Sequence, residues 1–323
     1  MAVQLGNVTP YITPVEFVNA PLGVDWGSIP ARGSTTPNAE QEMVCWRVTD
    51  RMDELAEQVL RAVVVVQQER GPDFTLTVDR WTGEGRLRAA QWPILQVVSG
   101  QWRYAADYTN SQWTAIAGNQ FQVDDMSGFL GSPFPKAARG SQYINIAPGN
   151  IDWTQGRNGY RCQVTYVAGH MINCGVTAGT NSQSQSRPNG PVIGDTSIHV
   201  DDICAWGVLA GTHGRVYDGL NTEGILVNSV TPDVANAIKG PGNLNLAVAL
   251  VNAHPLGTRI AHADASLQQA AFNLAVAYSR IRGATAISPR SAGGGSPIPQ
   301  SKSIEELIVE AEEILSFYKP VII

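Results

Sequence analysis

The sequence predicts an α+β fold, with helices at both ends of the chain and antiparallel strands between them. Three observations carry this. Apolar residues recur every three or four positions near both ends, but alternate through much of the stretch from Phe74 to His262. Gly 32 and Pro 19, with few Lys and Glu, favour turn-rich β structure over a helical bundle. A hydrophobic share of 43% is enough for a sizeable core.

The first helical signal is Thr13-Pro14-Val15-Glu16, which has the form of a capping box. Thr13 would be the cap, Pro14 would take the first helical position, and Glu16 would reach back. Pro21 and Gly23 keep this helix short. A longer helix is expected from Pro37 to about Gln68, because Val44, Val48, Met52, Leu55, Val59 and Ala62 share one face. Glu40 and Glu42 suit its positive N-terminus, and Gly71-Pro72 ends it. The β-branched run Val63 to Val66 is a point where the chain can already leave the helix.

Strands are expected at Thr75 to Val78, Ile94 to Val98 and Tyr160 to Tyr166, separated by turn signals such as Thr82 to Gly85 and Arg157-Asn158-Gly159. Thr177 to Asn189 is polar and reads as a linker or exposed loop. A second β segment follows, with strands at Ser197 to Ile203, Gly214 to Tyr217, Ile225 to Val230 and Leu246 to Val251, and a turn at Asp218-Gly219.

Helix returns after Asp264, with Leu267, Ala270, Leu274, Ala277 and Ile281 on one face. The segment from Ser288 to Gln300 carries Gly293-Gly294-Gly295 and reads as flexible. Ser303-Ile304-Glu305-Glu306 is a capping box. It opens a helix with the stripe Ile304, Leu307, Ile308, Ala311, Ile314, Leu315 and Tyr318. The expected division is residues 1–175 as a body of helices plus strands, 176–263 as an inserted small β domain with its linker, and 264–323 as C-terminal helices and a tail.

Charge narrows the function. The net charge is −6 and the pI about 5.4, with no dense Lys/Arg run, so a tight grip on nucleic acid is not expected. No basic-then-apolar leader opens the chain, and no apolar run is long enough for a membrane span. Cys45, Cys162, Cys174 and Cys204 form no CxxC pair and read as reduced, mostly buried thiols.

Candidate chemistry is sparse. His199 and Asp201 share one face of a strand, but a metal needs further ligands that spacing does not supply. His170 and Cys174 stand about 13 Å apart on an extended chain, too far for a nucleophile and its base. Asp124-Asp125 and Asp201-Asp202 are adjacent, so strand geometry would point each pair to opposite faces. No catalytic residue, cofactor or metal ligand is assigned, and a non-enzymatic role is expected. The apolar tail Phe317, Tyr318, Lys319, Val321, Ile322 and Ile323 either packs on its own core or docks on another subunit.

The order of these elements resembles the head-tail connector, or adaptor, proteins of long-tailed bacteriophages. The resemblance rests on Tyr11 to Phe17 with the Pro37 helix, on the strand phrases Pro93 to Val98 and Val164 to Gly169, and on the closing stretch Ile304 to Lys319. It covers roughly the first 170 residues and the last 60, with the Gly190 to His262 segment as a departure. It implies a helical adaptor body and a ring, usually twelvefold, in the virion neck. That ring would be assembled in the host cytoplasm, joining portal protein to stopper or tail-completion protein, with DNA passing through its channel. It also implies a tail, Phe317 to Ile323, that docks on the portal. A second reading makes the inserted segment a host- or carbohydrate-binding module around Trp206 and Tyr217.

Overall fold

The computed structural model describes residues 2–4, 9–19, 38–71, 76–79, 81–104, 113–123, 143–147, 160–181, 186–207, 211–219, 221–263, 265–281 and 303–319. Asp124-Asp125, Arg157-Asn158-Gly159, Asp264, Ser288 to Gln300 and Val321 to Ile323 lie outside them.

The chain opens with β1 (Ala2–Gln4), α1 (Pro14–Asn19) and α2 (Asn38–Ala56). A first group of strands follows: β2 (Val63–Gly71), β3 (Leu76–Val78), β4 (Gly85–Arg88), β5 (Ile94–Tyr104), β6 (Thr114–Ile116), β7 (Phe121–Val123), β8 (Tyr143–Ile146) and β9 (Tyr160–Ala168). The second group is β10 (Ile172–Gly175), β11 (Gly179–Thr180), β12 (Ser186–Arg187), β13 (Ser197–Val200), β14 (Thr212–Tyr217), β15 (Glu223–Pro232), β16 (Gly242–Leu246) and β17 (Arg259–His262). Helices α3 (Ala265–Ile281) and α4 (Ile304–Ser316) close it.

The expected helical adaptor body is overturned. Among the described residues strand outweighs helix, 40% against 25%, in four sheets with a curled half-barrel. Much of the difference lies between Val59 and Gly71. Glu57 adopts a positive φ of 55°, which stops α2 at Ala56. The run Val63 to Val66 then enters β2, which lies between β1 and β9 in a five-stranded sheet ordered β1-β2-β9-β5-β6. A β-branched run with both faces covered is a central strand. Val63 and Val65 face a core shared with the four-stranded sheet β3-β4-β8-β7, while Val64 faces one shared with the second group.

That second group is a six-stranded sheet ordered β10-β17-β14-β15-β16-β13. It begins at Ile172 through β10, which pairs with β17, so this layer starts before the expected residue 176. The polar stretch after Thr177 carries the hairpin β11-β12 rather than serving only as a linker. The strand expected from Leu246 instead ends there. In Gly242 to Leu246 the leucines are buried and the asparagines half-buried, and residues 247–251 form a loop.

The helical layer joins the two ends of the chain. Val44, Val48 and Met52 of α2, Leu267, Ala270 and Leu274 of α3, and Leu307, Ala311 and Leu315 of α4 share one core. Helices α3 and α4 run antiparallel. Ser266 Oγ lies 2.8 Å from Tyr318 Oη, and Asn273 Nδ2 donates to Glu310 Oε2 at 3.0 Å. Alanines at 270, 271, 275, 277 and 311 permit the close approach. Ser303 caps α4 reciprocally with Glu306, as the sequence predicts.

Candidate functional site

Among the described residues, each cluster singled out in the sequence has a structural partner, and Asp124-Asp125 lies outside them. Cys174 and His170 are divided between two cores. Trp206 Nε1 donates to Cys174 Sγ at 3.2 Å, while the His170 ring meets Trp92 and Tyr318 edge-on. All four cysteines are free and buried, and burial raises their thiol pKa values, Cys162 to about 12. Asp201 accepts from Thr9 Oγ1 and, at 2.7 Å, from Gly175 N–H, so both of its oxygens are engaged. Asp202 binds the N–H groups of Cys204 and Gly240. Burial raises the pKa of both carboxyls.

One arrangement has the connectivity of a nucleophile, base and acid. His199 Nδ1 lies 2.7 Å from Thr177 Oγ1, and its Nε2 lies 3.0 Å from Asp233 Oδ2. Thr177 lines an open groove of about 700 Å³ between α1, α2 and β10, which also exposes Trp46, Glu42 and Leu256. Acyl transfer needs N–H donors beside the nucleophile. Here the Thr177 N–H is bonded to His199 C=O, and the Val176 N–H to Thr258 C=O. The His199 ring also packs on Gly179, where a Cβ would strike it. The trio ties the β11-β12 hairpin to the sheet.

No three His, Cys, Asp or Glu side chains form a metal-holding group among the described residues. His254 is the nearest approach. Its Nδ1 meets Asp218 Oδ2 at 2.9 Å and its Nε2 meets Glu223 Oε1 at 2.8 Å, which leaves neither nitrogen for a metal. Glu223 also accepts from the N–H groups of Val251 and Asn252.

This buried polar work supports an apolar surface. Asp195 takes both arms of Arg187, with contacts of 3.0 and 2.7 Å, and also binds Asn181 Nδ2 and the N–H of Val192. Hydrogen bonding to Arg187 holds its carboxyl below the usual range. The Gly194 N–H donates to Leu250 C=O, the Leu250 N–H to Asp195 C=O, and the His254 N–H to Pro191 C=O. Gly190, at φ 97°, sits so close to the 254–256 backbone that a Cβ would strike His254 O. Loops 188–194 and 247–257 are thereby stitched side by side.

Their outer face carries Val192 at 44% exposure, Ile193 at 69%, Val248 at 70% and Val251 at 70%, flanked by Pro255 and Leu256. Neither loop contains an Asp, Glu, Lys or Arg. The sequence does show these charge-free stretches, but nothing local shows that they meet. Scattered exposed apolar residues are ordinary, whereas these four lie on two loops that are hydrogen-bonded side by side and free of charge.

The C-terminal residues divide. Tyr318 is buried in the chain's own core, and its carbonyl accepts from Gln58 Nε2 at 2.6 Å. Lys319 pairs with Glu57 at 2.8 Å. Phe317 is 68% exposed. Ser303 to Lys319 is therefore a packed layer of the body, and Val321, Ile322 and Ile323 lie outside the described residues.

No family model, curated protein or solved structure matches this chain.

The carbohydrate reading loses its aromatic. Trp206 is buried, and Tyr217 lies beneath the Arg259 guanidinium, 4.2 Å from the ring centre. Among the described residues no helix is long and apolar enough to cross a membrane. The platform itself has no aromatic residue for a sugar or a lipid interface and no cation for an anionic headgroup.

Proposed function

We propose that the chain is a structural assembly subunit, and that its particle is the neck of a long-tailed bacteriophage. There it would form a ring between portal protein and the stopper or tail-completion protein, around the channel through which DNA passes. The observation that carries the assembly reading is the platform of Val192, Ile193, Val248 and Val251, held rigid from beneath by Asp195, Glu223 and His254. A surface of this chemistry gains free energy when another apolar face covers it, as at the core of a protein interface. The assignment to the neck rests on the resemblance carried by Tyr11 to Phe17, the two strand phrases and Ile304 to Lys319. Absence of a basic run suits a channel wall that DNA must slide past rather than grip.

Phe317 offers a second apolar contact toward the portal, with Val321, Ile322 and Ile323 following in sequence. Tyr318 is engaged within the chain and is not assigned to the partner. The test is native mass measurement of the chain mixed with purified portal rings. A complex of fixed stoichiometry is expected. Independent sedimentation of chain and portal at micromolar concentration contradicts the neck assignment.

A further inference from the structure

Strand register builds a basic row that the sequence does not show as a run. Arg70 of β2 pairs with Arg161 of β9, and Arg161 pairs with Arg103 of β5. Directly paired residues share a face, so three guanidinium groups stand side by side across three adjacent strands. The next row is Gln68, Gln163 and Gln101, with Gln101 Nε2 donating to Gln163 at 3.1 Å. Arg103 also lies over the Trp113 ring, 4.6 Å from its centre. Farther along the same face, Val64 and Val167 enter the core shared with the six-stranded sheet. At the free end Gln68 and Arg70 are exposed, and Arg103 and Arg161 are half-buried.

Like charges directly opposite one another on a sheet repel. Glu69 does not relieve them, because it turns to the other face and accepts from Gln67. None of the three arginines has an ion-pair partner among the described residues. Helix α4 has the opposite excess, five glutamates and no Lys or Arg. Asn273 holds Glu310 and Arg51 holds Glu312. Glu305, Glu306 and Glu313 are exposed on the face turned away from Leu307, Ala311 and Leu315, around Val309 at 51% exposure. Glu306 and Glu313 are two helical turns apart, a rise of about 10 Å. The outer arginines, Arg70 and Arg103, are two strand spacings apart, also about 10 Å.

We propose that the Glu305, Glu306 and Glu313 face of α4 in one copy docks across the Arg70, Arg161 and Arg103 row of a second copy. Charge complementarity and the matched spacing carry the choice of occupant. Nucleic acid fits less well, since a net charge of −6 opposes a long polyanion. The two faces differ, so the contact is heterologous and repeats head to tail. Exposed ion pairs are individually weak and screened by salt, so this contact strengthens where copies are already gathered. The inference rests on the assembly reading and names how one copy meets the next.

The test is sedimentation velocity of the full chain alone, from about 20 to about 300 mM NaCl, which shortens the Debye length from about 20 to about 6 Å. Wild type should form concentration-dependent multimers at low salt that dissociate at high salt. Arg70→Glu/Arg161→Glu and Glu305→Arg/Glu313→Arg should each stay monomeric. Their equimolar mixture should recover wild-type association, because every face then meets its opposite. The milder Arg70→Gln/Arg161→Gln should keep the wild-type Tm and weaken association about tenfold. The proposal is overturned by a wild type that stays monomeric at low salt, by reversal variants that associate alone as wild type does, or by a mixture of folded variants that does not associate. A monomeric wild type that captures a labelled oligothymidine through the same arginines overturns it in favour of a phosphate backbone. No portal is present, so failure here is distinct from failure of the neck assignment.

Discussion

Arg259 presents two guanidinium nitrogens to the two carboxylate oxygens of Glu16, 243 residues earlier, at 2.9 and 3.0 Å. Both side chains are almost fully buried. Gln268 of α3 bonds to the same two groups, Asn173 of β10 binds Arg259, and Tyr217 of β14 covers its face. One ion pair thus pins the short α1 to the six-stranded sheet and to α3. Breaking such a pair from one side leaves a buried charge without its partner. Glu16→Ala should cost about 3–5 kcal/mol of stability, read as a shift of the denaturant midpoint. A loss below about 1 kcal/mol, the range of exposed pairs, contradicts this role.

His170 gives the protein an acid-side weakness. Burial against Trp92 and Tyr318 pushes its pKa from the ordinary 6.5 down to about 3. The folded state therefore keeps the ring neutral where the unfolded chain takes up a proton. Stability is full above pH 6.5 and falls as pH drops toward 3, at about 1.4 kcal/mol per unit from this group. Asp53, Asp201 and Asp202 work in the opposite sense, since burial raises their folded pKa values. The difference between wild type and His170→Gln isolates the histidine. Wild-type Tm should fall more steeply than that of the variant between pH 6.5 and 4, and parallel curves contradict the assignment.

Asp195 holds the platform from beneath. Asp195→Ala removes both Arg187 contacts and frees the Val192 N–H. The expected loss is about 2–3 kcal/mol, accompanied by faster amide exchange at Val192 and Gly194. Exchange unchanged at these amides would show that the loop is fixed by other means.

Legibility in the sequence followed the range of the interactions. The α4 cap and stripe were readable because Ser303 and Glu306 are three residues apart. Thr13 also caps as expected, bonding the Glu16 N–H. The Glu16 side chain does not reach back, because Arg259 claims it from across the fold, which no local pattern reveals. Val63 to Val66 suited both the end of a helix and a central strand, and the pairing with β9 decided for the strand. The platform is the clearest case. Its two charge-free loops are visible as sequence, but their union depends on the Gly194–Leu250 and His254–Pro191 backbone bonds.

The central claim is that the chain works by protein contact through that platform. The most direct test is sedimentation of wild type and of Ile193→Asp/Val248→Asp, each alone and mixed with portal rings. Both sites are exposed, so the double variant should keep its Tm, with stability changed by no more than about 1 kcal/mol. The account predicts that wild type joins an assembly of fixed mass and that the folded variant sediments separately. A variant that assembles as wild type does contradicts it.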